Sequence, residues 1–201
     1  MSLLLGLADR HRSSTDDKPH CMTVRSPHII DVKRIIEGQI RGYLLSRNSQ
    51  LIVVREFDGF LPAGYVAMPS SIVTELVINE PWTQMIAVEG HAGIAQTAPW
   101  FATDSLRTAL KSIYEKSVNV KIECENCADS DEFGFHIGRI VALNGSSIDF
   151  VFFDSAGRWF DAPYSIPYNS ITQLVVDDPY VIAFSRYVGP CPVATEKSRE
   201  Q

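Results

Sequence analysis

The sequence predicts a mostly β protein of the α+β type, built from two tandem small five-stranded barrels with one helix between them. Three observations predict it. Val73-Thr-Glu-Leu-Val-Ile-Asn-Glu-Pro-Trp82 matches Ile171-Thr-Gln-Leu-Val-Val-Asp-Asp-Pro-Tyr180 position by position at a constant offset of 98, the mark of an internal repeat. The same offset pairs Pro69 with Pro167, Gly59 with Gly157 and Val53 with Val151, and a two-residue gap then aligns Gly38-Gln-Ile with Gly138-Arg-Ile. Apolar residues elsewhere fall in strand-sized blocks split by turn residues, and a helical period stands out only between the two copies.

Taken in order, residues 1–28 are expected to form a mobile arm, 8–28 mixing Asp, Arg, His, Ser, Thr and Pro without periodicity. The first repeat, 29–95, opens with a strand somewhere in 29–36. It continues with strands at 40–45, 51–56, 65–68 and 73–78, rich in Val, Ile, Leu and Tyr. Residues 90–99, with Gly, Ala, Gln and Pro, make the linker. In 96–188, Leu106, Ala109, Leu110, Ile113 and Tyr114 share one helical face behind a Thr103 or Asp104 cap. Strands follow at 118–124, 136–143, 148–154, 159–166 and 171–176, with Asn144-Gly145 marking the hairpin between the second and third. Residues 189–201, with Pro190 and Pro192 before a run of polar residues, are the expected frayed tail.

Charge and composition exclude several function classes. Lys and Arg number 18 against 24 Asp and Glu, a formal net charge of −6. The six basic residues of the first 34 positions leave the rest of the chain still more acidic. Non-specific nucleic-acid affinity comes mostly from neutralised phosphates, so without a dense basic patch anionic partners are disfavoured. Leu3-Leu-Leu-Gly-Leu7 has no preceding basic residue and is a poor secretory signal, and no apolar run approaches the ~20 residues that span a bilayer. Four cysteines, Cys21, Cys124, Cys127 and Cys191, do not make a secreted disulfide framework, so the cytoplasm is the expected compartment.

A helix with five short bent strands, a Gly-x-Ile strand (Gly38-Gln-Ile, Gly138-Arg-Ile) and a short turn before the closing strand resembles the Sm-like and related small β-barrel folds. It is also similar to bacterial small-barrel proteins. The resemblance spans most of 29–188 as two copies and implies, as an alternative function, binding of RNA or single-stranded nucleic acid. Sm proteins read RNA with an Asp/Asn loop and an Arg-Gly pair before the last strand. Here those last turns are Ser70-Ser71 and Tyr168-Asn169.

No catalytic signature is present in the sequence: there is no Gly-x-Ser-x-Gly elbow, no phosphate-cradling Gly-x-x-x-x-Gly-Lys and no Gly-x-Gly-x-x-Gly. Neither an enzyme nor a cofactor is expected. Cys124 and Cys127 have the spacing of zinc ligands, but structural zinc needs a second pair that Cys21, Cys191 and His136 do not form. An ordinary strand end is the expectation there. Asp129, Asp131 and Glu132 lack the Gly and closing Glu of a calcium loop, and a solvated acidic loop is expected. Aromatics in loops are the remaining signal. Arg158, Trp159 and Phe160 follow Gly157 at a bend, and Tyr168 sits in the last turn. Exposed aromatics beside an Arg have the composition of a binding hot spot. The expected function is a non-catalytic interaction or adaptor protein whose loop aromatics or inter-barrel groove take a protein or peptide. A free strand at either end would also suit a homodimer.

Overall fold

A computed structural model describes residues 28–36, 38–124 and 135–193. The Asp129, Asp131 and Glu132 loop, Cys21 and Cys127 lie outside the described residues, as does nearly all of the N-terminal arm.

The first half contributes β1 (Ile29–Arg34), β2 (Gln39–Arg47), β3 (Leu51–Asp58), β4 (Leu61–Pro69) and β5 (Val73–Ile78). The second contributes β6 (Val120–Glu123), β7 (Phe135–Leu143), β8 (Ser147–Phe152), β9 (Tyr164–Pro167) and β10 (Gln173–Val176). Every strand pairing is antiparallel. The expected opening strand is β1, and a single 3-10 turn precedes both β5 and β10.

Two closed five-stranded barrels are not what these strands build. They form one open ten-stranded sheet in the order β5-β1-β2-β3-β4-β10-β6-β7-β8-β9. The reason is the partner of β4. Its second edge is filled by β10, with Leu174 opposite Ala67 and Val176 opposite Tyr65, so it is not available to β5 of its own half. Each half keeps the same internal order, its fifth strand beside its first and its fourth at the far side, and the halves join fourth strand to fifth.

Strand register also corrects the expected alignment of the glycines. In β2 Gly42 stands opposite Glu56, and in β7 Gly138 stands opposite Phe152; each strand then bulges between its second and fourth following residues, at Leu44/Ser46 and Ile140/Ala142. Gly42, not Gly38, is therefore the counterpart of Gly138, and Val53 corresponds to Asp149 rather than to Val151. Gly38 lies before β2 with φ +93. The two-residue difference falls in the connection between the third and fourth strands.

Leu51-Ile-Val-Val and Tyr65-Val-Ala-Met read as unbroken apolar runs because both of their faces are covered. Ile30, Val32, Leu44, Val54 and Met68 cluster on one face. Ile29, Tyr43, Val53 and Ala67 on the other belong to a core that continues through Ile122, Ile140 and Phe150 of the second half. Fully burying one such side chain is worth about 1.5–3 kcal/mol, so this shared core outweighs any single polar contact between the halves.

The expected helix is α2, the second of three: α1 (Glu80–Val88), α2 (Leu106–Lys116) and α3 (Pro179–Val188). Ala109, Leu110 and Ile113 of α2 enter the core that both halves line. Its cap is Ser105 rather than Thr103 or Asp104. The Ser105 hydroxyl accepts from the Thr108 amide at 3.2 Å while the Ser105 amide donates to the Thr108 hydroxyl at 3.0 Å, a reciprocal box. The Thr103 carbonyl is held instead by the Asn48 side chain of the first half at 2.8 Å. α1 and α3 each follow the last strand of their half, start with Pro in the first turn, and are capped by Asn79 and Asp178.

Candidate functional site: an aromatic cleft in the second half

Matching register places Asp31 opposite Arg41 in the first half and Lys121 opposite Ile137 in the second. In the first half this pair is ionic. Arg41 Nε donates to Asp31 at 2.6 Å, and the guanidinium lies 4.2 Å from the centre of the Trp82 ring, which stacks on Phe60 at 5.1 Å. In the second half the cation is replaced by the shorter, apolar Ile137, and Trp82 is replaced by Tyr180. Lys121 pairs with Glu123 at 2.8 Å, its ammonium 5.6 Å from the centre of the Phe135 ring. What remains is a cleft of about 320 Å³.

Four elements of sequence supply its walls. The start of β7 gives Phe135, His136 and Ile137; the end of β8 gives Phe152 and Phe153; the loop beyond gives Asp154, Ser155 and Phe160; and α3 gives Tyr180 and Phe184. Phe153, Phe184 and Tyr180 form a stack with 5.4 Å between successive centres and 19° between planes. His136, Phe152 and Phe160 form a second row, at 4.6 Å and 4.3 Å. Phe135 is 58% exposed, Tyr180 58% and Phe160 46%. Large apolar groups left in water around a concave floor are the informative departure from ordinary burial.

The loop that presents Phe160 is tied tightly. One Asp154 carboxylate oxygen accepts from the Ala156 and Arg158 amides at 2.9 and 3.0 Å, and the other from the Arg158 guanidinium at 2.8 Å. These bonds, led by the Arg158 amide, hold the Asp154 pKa below the usual 3.8 despite some desolvation. Gly157 has φ +76, and a Cβ there would run into the Tyr187 ring, so the turn seats directly on α3. The Phe160 amide then donates to the Phe152 carbonyl at 2.9 Å, returning the chain to the sheet.

The four residues expected to bind a partner are thus separated in role. Phe160 is in the cleft. Arg158 is exposed, but its guanidinium closes the turn on Asp154. Trp159 is half-buried, edge-on to Phe153 at 4.9 Å and 83°, and supports the floor from behind. Tyr168 lies elsewhere, in a groove of about 520 Å³ that runs between the halves beside Ser71 and Leu106. Its hydroxyl donates to the Asn144 carbonyl at 3.0 Å and Arg107 sits 5.3 Å from its ring centre. Sequence reasoning missed Phe135, His136, Tyr180 and Phe184. The signal available was the helical spacing of Tyr180, Phe184 and Tyr187 after the Asp178-Pro179 cap.

Chemically the cleft is mostly apolar, with Asp154 and Ser155 at its rim. Burial lowers the His136 pKa below its ordinary 6.5, so the imidazole is neutral at pH 7 and acts as one more flat ring. Among the described residues no three His, Cys, Asp or Glu side chains are grouped to hold a metal ion. Cys124 is buried at its strand end and accepts from the Ser170 hydroxyl at 3.8 Å. No helix of the described residues is long and apolar enough to cross a membrane. No protein-family model, curated protein or solved structure matches the chain.

Proposed function

We propose that this protein is a non-catalytic interaction module that takes an aromatic or branched aliphatic side chain of a protein or peptide partner into the second-half cleft. The observation that carries this reading is the ring of exposed Phe135, Phe160 and Tyr180 around an apolar floor of Phe152, Phe153 and Phe184. A cleft of about 320 Å³ holds one or two large side chains, and rigid aromatics bury much area at small entropic cost.

Peptide selection tests it. A displayed random library enriched on the immobilised full chain is expected to yield sequences sharing a Trp, Phe or Leu anchor. Phe160→Ala and Tyr180→Ala are each expected to weaken those peptides by about tenfold or more, the scale of a hot-spot truncation, with unchanged circular dichroism. Peptides that bind wild type and both variants equally would sink the reading.

The alternative is single-stranded nucleic acid in the groove between the halves, where Tyr168 and Arg107 offer a ring and a cation. It requires affinity for an oligonucleotide that falls with salt, with a log–log slope near −0.7 per phosphate neutralised. The single cation at that ring and the net charge of −6 favour the peptide reading.

A further inference from the structure

α3 has a second side. Turned away from the aromatic cleft, Ser185 and Arg186 border a separate cavity of about 330 Å³, which Ser117, Asn119, Arg139 and Asp177 line from the sheet and from the end of α2. A relay of hydrogen bonds sets its floor. Arg139 Nε donates to the Asn119 side-chain oxygen at 3.1 Å, the Asn119 amide nitrogen donates to the Ser185 hydroxyl at 2.9 Å, and that hydroxyl donates to the Val181 carbonyl at 2.6 Å.

The relay orients Arg139 by Nε alone. Neither terminal nitrogen of its guanidinium has an acceptor among the described residues, and Arg186 has no hydrogen-bond or ion-pair partner among them. One acid, Asp177, lines the cavity, and its Oδ2 already accepts from the Trp100 indole at 2.8 Å. A chain of net charge −6 therefore brings to one concave site two guanidinium groups that have no carboxylate partner among the described residues. Ser117, the left-handed C-cap of α2, and Asp177, with φ of 54° and 55°, both border this cavity.

We propose that this cavity binds a small phosphate monoester, its phosphate held between Arg139 and Arg186. Planar guanidinium groups match the oxygens of a phosphate two at a time, and a pair of them balances a dianion. The cavity exceeds the volume of a phosphate group alone, and Ser117 and Asp177 also border it, the Asp177 carboxylate being an acceptor suited to a hydroxyl on the organic part.

The probe is glycerol 3-phosphate, titrated calorimetrically into the full chain at fixed sodium chloride, with sodium succinate as the parallel carboxylate arm. Saturable one-to-one binding of glycerol 3-phosphate at millimolar or lower concentration is expected, with a much weaker response to succinate. Arg186→Gln, an exposed change, is expected to weaken binding by about tenfold or more while the thermal midpoint without ligand stays put. Arg139→Gln should do the same, and its circular dichroism reports whether the fold survives. No saturable heat, equal affinity for succinate, or Arg186→Gln binding as wild type would each overturn the proposal.

Discussion

Gly42 and Gly138 hold the same position in the two halves of the sheet, and at each a Cβ would meet a backbone carbonyl of the neighbouring strand, that of Arg55 in one half and of Val151 in the other. Both lie just before a bulge, where the strand bends sharply. Backbone cannot yield as a flexible side chain does. Gly42→Ala and Gly138→Ala are each expected to destabilise by about 1–3 kcal/mol, the range for overpacking, in urea unfolding. A cost below a few tenths at either position would show that the strands separate there easily.

The Asp31–Arg41 pair is half-shielded, with side chains 14% and 23% exposed. Burial alone pushes the Asp31 pKa up, but hydrogen bonds from Arg41 and Asn79, with the charges of Arg41 and Lys33, hold it below the ordinary 3.8. A depressed carboxylate contributes stability that is present above its unfolded pKa and is lost as pH falls through its folded one. Asp31→Asn should therefore cost about 1.5 kcal/mol at neutral pH, the value of a hydrogen bond to a charged group. The gap to wild type should close below about pH 4. Melting curves with a constant gap through acid would contradict this.

Glu56 carries the opposite sign. Burial raises its pKa above 4.5; Lys121 pulls it down, and Asp178, Glu123 and Asp58 push it further up. Its charge is thus a penalty at neutral pH, relieved as pH falls through the raised folded value toward the unfolded one. Glu56→Gln is expected to raise the melting temperature at pH 7 and to give no advantage in acid. Destabilisation at pH 7 would mean that the carboxylate makes a favourable contact.

Ser117 ends α2 with φ 54 and ψ 46, the place where helices commonly use glycine. Ser117→Gly removes a left-handed penalty of about 1 kcal/mol, offset in part by loss of a 3.4 Å bond from its hydroxyl to the Tyr114 carbonyl. A rise in melting temperature of up to about 2–4 °C is expected for a chain of this size. A fall would show that the hydroxyl matters more than the backbone.

Much of the β framework is legible in the chain because strands and turns are local. The Asn144-Gly145 signal, the alternating Val120–Glu123 segment and the matched Val73–Ile78 and Gln173–Val176 blocks all mark strands that form. α1 and α3 escape a search for long amphipathic periods because each runs about ten residues and exposes apolar side chains, such as Val88 at 85% and Tyr187 at 76%. Their caps, Asn79 and Asp178 with Pro two and one residues later, are the local signals that find them.

The site was legible only in part. Phe160 and Tyr168 are eight positions apart and both aromatic, yet β9 runs between them, and a four-residue strand of about 13 Å carries them to opposite ends of β8, Phe160 beside Phe152 and Tyr168 beside Ser146. The cleft itself needs β7, β8 and α3 to converge, and no spacing in the chain expresses that.

The sequence by itself determined a mostly β chain, its repeated strand pattern, the α2 helix and an acidic charge balance, because periodicity, turn chemistry and composition act within a few residues. Tertiary structure decided which edge β4 would share. Its apolar run fits a neighbour on either side, and a strand does not encode the identity of its partner, so pairing with β10 rather than β5 made one open sheet of what might have been two closed units. It also decided that the exchange of Arg41 for Ile137 at matching register would leave a cleft, since a cavity exists only where separated elements fail to fill the space between them.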